Sequence, residues 1–277
     1  MSRPRILYVS DLAYPAVGRR YPDEDIFLTS RLREEFGIAI CNPRDAVALM
    51  DGFDAVVVRN SGPVMQYPAE HAAFREHARR SGALVFNDLG GKADAVGKQY
   101  LVELSDAGEP VIPTVDSPAA LDRLPLPPAH RYVVKPKLGA DSVGLEIVDA
   151  GGIASAAARG GDVLIQPLID FEYEVSFYFV DRDFQYALYA PRPDARWELE
   201  RYEPSADDLA FAQRFVDWNG IEHGIQRVDA CRVRATGELL LVELEDLNPY
   251  LSLDLLDAGT RDAFVARMKR SLRDLLA

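Results

Sequence analysis

Arg227-Val-Asp-Ala-Cys-Arg-Val-Arg-Ala-Thr-Gly-Glu-Leu-Leu-Leu-Val-Glu-Leu-Glu245 reads as two strands around a turn at Ala235-Thr236-Gly237. From Leu239 to Glu245 the residues alternate with the strand period of two, which sends Glu243 and Glu245 to one side of a sheet. A hairpin centred on Thr236 sets Asp229 opposite Glu243 and Arg227 opposite Glu245, and opposed residues share a face. Three carboxylates and one guanidinium then converge on a patch otherwise made of Leu, Val and Cys. Like charges that close repel, so the arrangement needs cations. An oxygen-only set without His or Cys suits Mg2+ or Mn2+, ions that in enzymes commonly also bind substrate phosphates. The plain alternative is an edge hairpin with its acids in water; the Leu-Leu-Leu-Val run beside them argues against it.

The chain has 277 residues, enough for two or three compact units, and its 48% hydrophobic and 27% charged content is ordinary for a soluble globular protein. A net charge of -13 speaks against nucleic acid as a partner, because such binding needs a basic footprint. No run approaches the roughly 18 consecutive apolar residues of a membrane helix. Met1-Ser-Arg-Pro-Arg leads straight into a strand without a signal-peptide core. A cytoplasmic setting without membrane contact is expected, and a homodimer is an assembly the reading allows. Cys41 and Cys231 sit in apolar strand-like contexts and read as reduced core residues. His71, His77, His130 and His223 show no metal-ligand spacing.

Residues 4–90 alternate apolar strands (5–9, 38–41, 55–58, 83–86) with helical stretches (26–36, around 44–50, 68–81), which implies a mostly parallel sheet. The Gly-x-Gly-x-x-Gly fingerprint is absent, so nothing there points to a dinucleotide. A helix over 95–107 and a strand-like 110–114 follow. Beyond 131 come antiparallel-looking strands (131–137, 145–149, 163–166, 173–180, 184–190). A helix over 205–219, the acidic hairpin and a helix over 260–276 complete the pattern.

Val133-Val-Lys135-Pro-Lys137-Leu-Gly139-Ala-Asp-Ser-Val-Gly144 is the second informative stretch. Gly139 and Gly144 have P-loop separation, but Leu145 stands where that motif needs Lys, so this is not a Walker A. Two lysines on one face of a strand, followed by a glycine loop, suit a phosphate clamp instead; the plain alternative is a hairpin turn after a strand with surface lysines.

In their order these segments resemble the ATP-grasp superfamily of carboxylate ligases over most of the chain. The matching parts are Lys98-Gln-Tyr-Leu, Gly108-Glu-Pro-Val-Ile-Pro-Thr114, Val-Val-Lys135-Pro with its glycine loop, Gln166-Pro-Leu-Ile169, Glu174-Val-Ser176 and the acidic hairpin. The resemblance implies an α/β and α+β architecture, an ATP-grasp fold behind an N-terminal Rossmann-like unit. Its divisions would be a pre-ATP-grasp domain over 1–94, a lid lobe over 95–170 and a lobe with the metal site over 171–277. It also implies an ATP-dependent ligase that makes an acyl phosphate of a small amino-acid-like carboxylate. Lys98, Lys135, Lys137, Gly139, Ser142 and Gly144 would meet the phosphates, with 139–144 as a lid. Gln166, Pro167, Leu168, Ile169 and Glu174 would line the nucleotide, and Asp229, Glu243 and Glu245 would hold Mg2+ (or Mn2+). Arg227 and Lys135 would serve the chemistry.

One departure stands out: Glu245 occupies a slot where the superfamily usually has Asn. The alternative pairing, Asp246 with Asn248, breaks the spacing from the turn, so Glu243 and Glu245 are preferred. Asn248 then opens a loop near the acceptor, and Arg59, Ser61 and Arg196 are further expected substrate contacts, Arg59 for its carboxylate with a structural salt bridge as its alternative. Within the superfamily the likeness is to glutathione-synthetase-like enzymes, and more narrowly to cyclo-ligases of cycloserine formation. A nucleotide-binding regulatory module without ligation is the alternative function.

Overall fold

The computed structural model describes residues 3–14, 21–59, 66–93, 97–124, 131–139, 143–192 and 198–277. The chain opens with β1 (Arg5–Val9), α1 (Tyr21–Leu32), β2 (Gly37–Cys41), α2 (Ala46–Leu49), β3 (Ala55–Val58), α3 (Pro68–Ser81) and β4 (Val85–Phe86). These strands pair in parallel in the order β2-β1-β3-β4. Ile6 to Tyr8 and Ala55 to Val58 are buried along their whole length, as parallel strands covered on both faces require. α1 starts at Tyr21 and stops at Leu32, not 26–36, because Pro22 and the acids Asp23 and Glu24 suit a first turn.

Helix α4 (Tyr100–Asp106) is shorter than the expected 95–107. Gly97 takes φ +92, a left-handed conformation that ends any helical run there, and residues 94–96 lie outside the described residues. The strand-like 110–114 makes only isolated bridges, Val111 to Leu241 and Val115 to Ile165. Pro110 and Pro113 have no N–H to give a longer ladder.

The next unit contains β5 (Tyr132–Pro136), β6 (Glu146–Val148), α5 (Ile153–Gly160) and β7 (Val163–Pro167), with an antiparallel sheet in the order β6-β5-β7. The last unit contains β8 (Phe171–Val180), β9 (Asp183–Ala190), β10 (Glu200–Tyr202), α6 (Ala206–Asn219), β11 (Ile225–Val233), β12 (Leu239–Glu245) and α7 (Ala258–Leu275). Its antiparallel sheet runs β10-β9-β8-β11-β12.

Packing crosses the divisions expected at 94/95 and 170/171. Tyr100, Leu101 and Leu104 of α4 share a core with Phe177, Phe215 and Leu244. The Tyr100 hydroxyl accepts the Leu244 N–H at 2.6 Å, so α4 belongs with the last unit. Phe264, Met268 and Leu272 of α7 pack instead with Ile6, Tyr8 and Leu28 of the first. Among the described residues no helix is long and apolar enough to cross a membrane.

Charge is buried where the first sheet meets the segment after β12. Arg59 is 0% exposed and donates from Nη1 to the Pro249 carbonyl at 2.7 Å. It lies 3.5 Å from Glu24 and 3.4 Å from Asp25. The expectation that Arg59 holds a substrate carboxylate is therefore corrected: its guanidinium is enclosed and committed to protein groups.

Two carboxylates share this one guanidinium away from water, and burial pushes the Glu24 carboxyl up from 4.5 to about 7 against the opposing pull of Arg59. In the unfolded chain the group titrates at its ordinary value. Between these values the folded protein binds the extra proton, so Glu24's contribution to stability is present at low pH and lost as pH rises through the window. At about 1.4 kcal/mol per unit the loss comes to about 3 kcal/mol. Unfolding measured from about pH 4 to about pH 8 should show wild-type stability falling relative to Glu24→Gln by this order. Parallel curves would mean that Glu24 carries the same charge in both states.

Candidate active site

Strand β11 lies between β8 and β12, and the hairpin register is the expected one at its acidic end: Arg227 opposes Glu245 and Asp229 opposes Glu243. A bulge between Asp229 and Ala230 shifts the rest, so that Ala230 opposes Leu241 and Arg232 opposes Leu239. On the other side Asp229 faces Ser176, whose hydroxyl donates to Oδ1 at 2.6 Å.

The acids do not meet at one point. Arg227 donates to Asp229 from Nε at 2.9 Å and from Nη2 at 2.8 Å, to Glu245 at 2.5 Å, and from Nη1 to the Tyr250 carbonyl at 3.0 Å. Lys98 pairs with Glu243 at 2.6 Å and also donates to the Gly139 carbonyl. Among the described residues no three His, Cys, Asp or Glu side chains group as a metal-holding set. The expected convergence of three carboxylates is thus replaced by three internal ion pairs, two at Arg227 and one at Lys98. Burial would raise the Glu243 carboxyl, but the Lys98 and Lys135 ammonium groups outweigh it and hold it below the usual range. Burial alone would lower the Arg227 guanidinium; Asp229 and Glu245 hold it well above its ordinary value, so it stays charged.

Asp246 is 1% exposed and accepts the Ala93 N–H at 3.2 Å and the Asn219 amide at 3.1 Å. It is thereby committed to the interior, which leaves Glu245 as the acid accompanying Glu243 at Arg227 and Lys98. Asn248 is half-buried in the loop beyond.

A cavity of about 320 Å³ opens between the three-stranded sheet and the five-stranded one, a volume at the low end of small-ligand sites. Gln166, Pro167, Leu168 and Ile169 form one wall with Val133 and Ile147. Glu174, Cys231 and Val242 form the facing side. Lys98, Lys135, Gly139 and Glu243 also line it. Eight of the residues expected at the nucleotide (98, 135, 139, 166, 167, 168, 169 and 174) are therefore brought together.

Others are not. Lys137 is outside the lining and pairs with Asp116 at 3.2 Å. β5 ends at Pro136, so the strand alternation that would align Lys137 with Lys135 no longer applies. Gly144 is also outside the lining; at φ +78 it makes a turn where a Cβ would meet Pro136 at 3.0 Å. Ser61, Ser142 and Arg196, and the middle of the 139–144 loop, lie outside the described residues. Ser176 and Thr114 are additions. Thr114 accepts the Gln166 amide at 2.8 Å and so orients one wall. Both depend on pairings between distant segments, although both stand in segments, 108–114 and 174–176, that carried a sequence signal.

Lys135→Ala should weaken ATP binding about tenfold or more, since a charge-assisted hydrogen bond is worth about 1.5–3 kcal/mol. Lys137→Ala should change it less than about twofold, since its partly buried ammonium is paired with Asp116 outside the cavity lining. Calorimetric titration with ATP compares the two; equal losses would move the nucleotide away from this cavity.

A parallel α/β unit followed by two antiparallel lobes, with lysines and acids around the cavity between them, is the ATP-grasp fold. Chains of that fold to which this one is similar include several ATP-grasp ligases. No protein-family model matches the chain. The cycloserine biosynthesis protein DcsG of Streptomyces lavendulae is 27% identical over 253 residues, covering 79% of this chain and 84% of that protein. The crystal structure of D-cycloserine synthetase DcsG superposes with a TM-score of 0.76 at 23% identity, covering 98% of this chain and 99% of its own. D-alanine–D-alanine ligase from Bacillus anthracis, complexed with ATP, gives 0.66 at 16% identity, with 98% of each chain covered. The ATP-grasp ligase PsnB complexed with a minimal precursor gives 0.65 at 19% identity, covering 96% of this chain and 100% of that one.

Proposed function

We propose that the protein binds ATP in the 320 Å³ cavity, phosphorylates the carboxylate of a small amino-acid-like substrate and lets an amine-type nucleophile displace phosphate. The observation that carries this is the cavity itself. It has an apolar wall for a base at Gln166–Ile169, and ammonium groups at Lys98 and Lys135 next to Glu243. In the reaction Lys98 and Lys135 bind phosphate oxygens, and Arg227 neutralises charge on the phosphoryl as it transfers. Asn248, on the loop after β12, faces the acceptor side.

The donors are all oxygen, and Asp229 and Glu243 oppose each other across the β11–β12 pair, a donor chemistry that fits a hard divalent ion. Asp229, Glu243 and Glu245 would hold Mg2+ (or Mn2+), which when bound neutralises phosphate oxygens.

The likeness to the cycloserine proteins favours ring closure within one molecule, where orientation comes with the substrate. A net charge of -13 disfavours an acidic peptide acceptor. The proposal includes a cytoplasmic setting. Incubation with O-ureido-D-serine, ATP and Mg2+ should release ADP and phosphate and convert the substrate by mass. AMP in place of ADP would overturn the mechanism, and ADP formed only with other amino acids would discard this substrate. A regulatory nucleotide-binding module is the second reading, favoured by acids that the protein already neutralises from within. ATP binding without ADP release across an amino-acid panel would select it.

A further inference from the structure

The segment just after β12 is held through its main chain. Arg59 donates to the Pro249 carbonyl at 2.7 Å, and Arg227 to the Tyr250 carbonyl at 3.0 Å. Glu24 accepts the N–H of Leu251 at 2.9 Å and of Leu253 at 3.0 Å, while the Tyr186 hydroxyl donates to the Leu251 carbonyl at 2.8 Å. Between them Ser252 takes φ +52, a left-handed conformation that a non-glycine residue keeps only when its surroundings impose it. Glu24 is 4% exposed, Arg59 and Asp25 are 0% exposed, and Tyr8 and Ser10 donate to Asp25 in turn. A charged network this enclosed costs stability to assemble, and packing alone would not require it.

We propose that Glu24 and Arg59 are positioning residues for Arg227. They fix the backbone over 249–253, and the Tyr250 carbonyl so placed sets the rotation of the Arg227 guanidinium between Asp229 and Glu245. Two side chains of the N-terminal unit thereby aim a cation on β11. That this aim serves phosphoryl transfer rests on the ligase reading; the aim itself does not. The experiment therefore reads the guanidinium directly.

In the full-length protein labelled with [15N]arginine, at about pH 8 where Glu24 is ionised, rotation about the Arg227 Nε–Cζ bond is followed by NMR in wild type and Glu24→Gln. A glutamine has one acceptor oxygen for two N–H groups and presents its amide hydrogens to Arg59. Rotation of Arg227 should quicken about tenfold, roughly one hydrogen bond's worth. Arg232, on the same strand and held by Asp208 at 2.6 Å and the Gly237 carbonyl at 2.7 Å, is the control and should not change. If Glu24→Gln does not fold, Tyr186→Phe loosens the same segment from the Leu251 carbonyl and should act in the same direction. Unchanged rotation of Arg227 would overturn the proposal. Equal quickening of Arg227 and Arg232 would also overturn it, since that is general loosening. Absence of ligase activity in wild type in every assay, with Arg227 quickened in Glu24→Gln, would retire the ligase reading and leave the relay standing.

Discussion

Glu243→Gln should cut Mg2+-dependent ADP release by about 100-fold to 1,000-fold, the scale of losing one preorganised electrostatic group at a transferring centre. The amide keeps the shape of the side chain and can still accept from Lys98, but the negative charge is gone. An isolated cluster of repelling acids would gain stability from such a change. The structure predicts the opposite sign, because Glu243 is the counter-charge of a Lys98 side chain only 5% exposed. Unfolding without ligands should therefore show a loss of about 1–2 kcal/mol, reduced from the value for a dry pair because Glu243 is itself 22% exposed. Wild-type ADP release at limiting Mg2+ would remove Glu243 from the site. A gain in stability would show that the Lys98 pair does not form in solution.

Arg227→Ala should have the second large effect. Its guanidinium binds Asp229, Glu245 and the Tyr250 carbonyl, and its side chain is only 12% exposed. Removal leaves two carboxylates without their cation in a poorly hydrated place, where attraction for any other cation rises. Turnover should fall about 100-fold or more. Free Mg2+ without nucleotide should raise the unfolding temperature of Arg227→Ala by more than it raises that of wild type, since the ion takes the vacated role. Identical Mg2+ responses in the two proteins would show that these acids do not hold the metal.

The hairpin was legible because a turn and a period of two fix a register locally, and Arg227–Glu245 and Asp229–Glu243 are paired as that register requires. The bulge after Asp229 was not, since nothing in the strand sequence marks the extra residue. The cation arrangement was only half legible: Glu243 and Glu245 plainly share a side, but Lys98 reaches Glu243 only through the packing of α4 against β12. Arg59 was misread for a related reason. An arginine at the end of a buried parallel strand has the look of a ligand group, whereas its partners Glu24 and Pro249 lie 35 and 190 positions away. Lys137 shows the limit of periodicity, which holds only while the strand does, and β5 stops one residue earlier.

The place of α7 has a consequence for how the protein comes into being. Ile6 and Tyr8 leave the ribosome about 250 residues before Phe264, Met268 and Leu272, which belong to the core that covers them. At about 5–20 residues per second, the opening strand waits some tens of seconds for its cover. During that interval its apolar edge is open to chaperones and to other nascent copies, and Arg31 and Glu34 wait for Asp262 and Lys269, their partners at 2.7 and 2.6 Å. A strand made early in this chain is thus closed by a helix made much later.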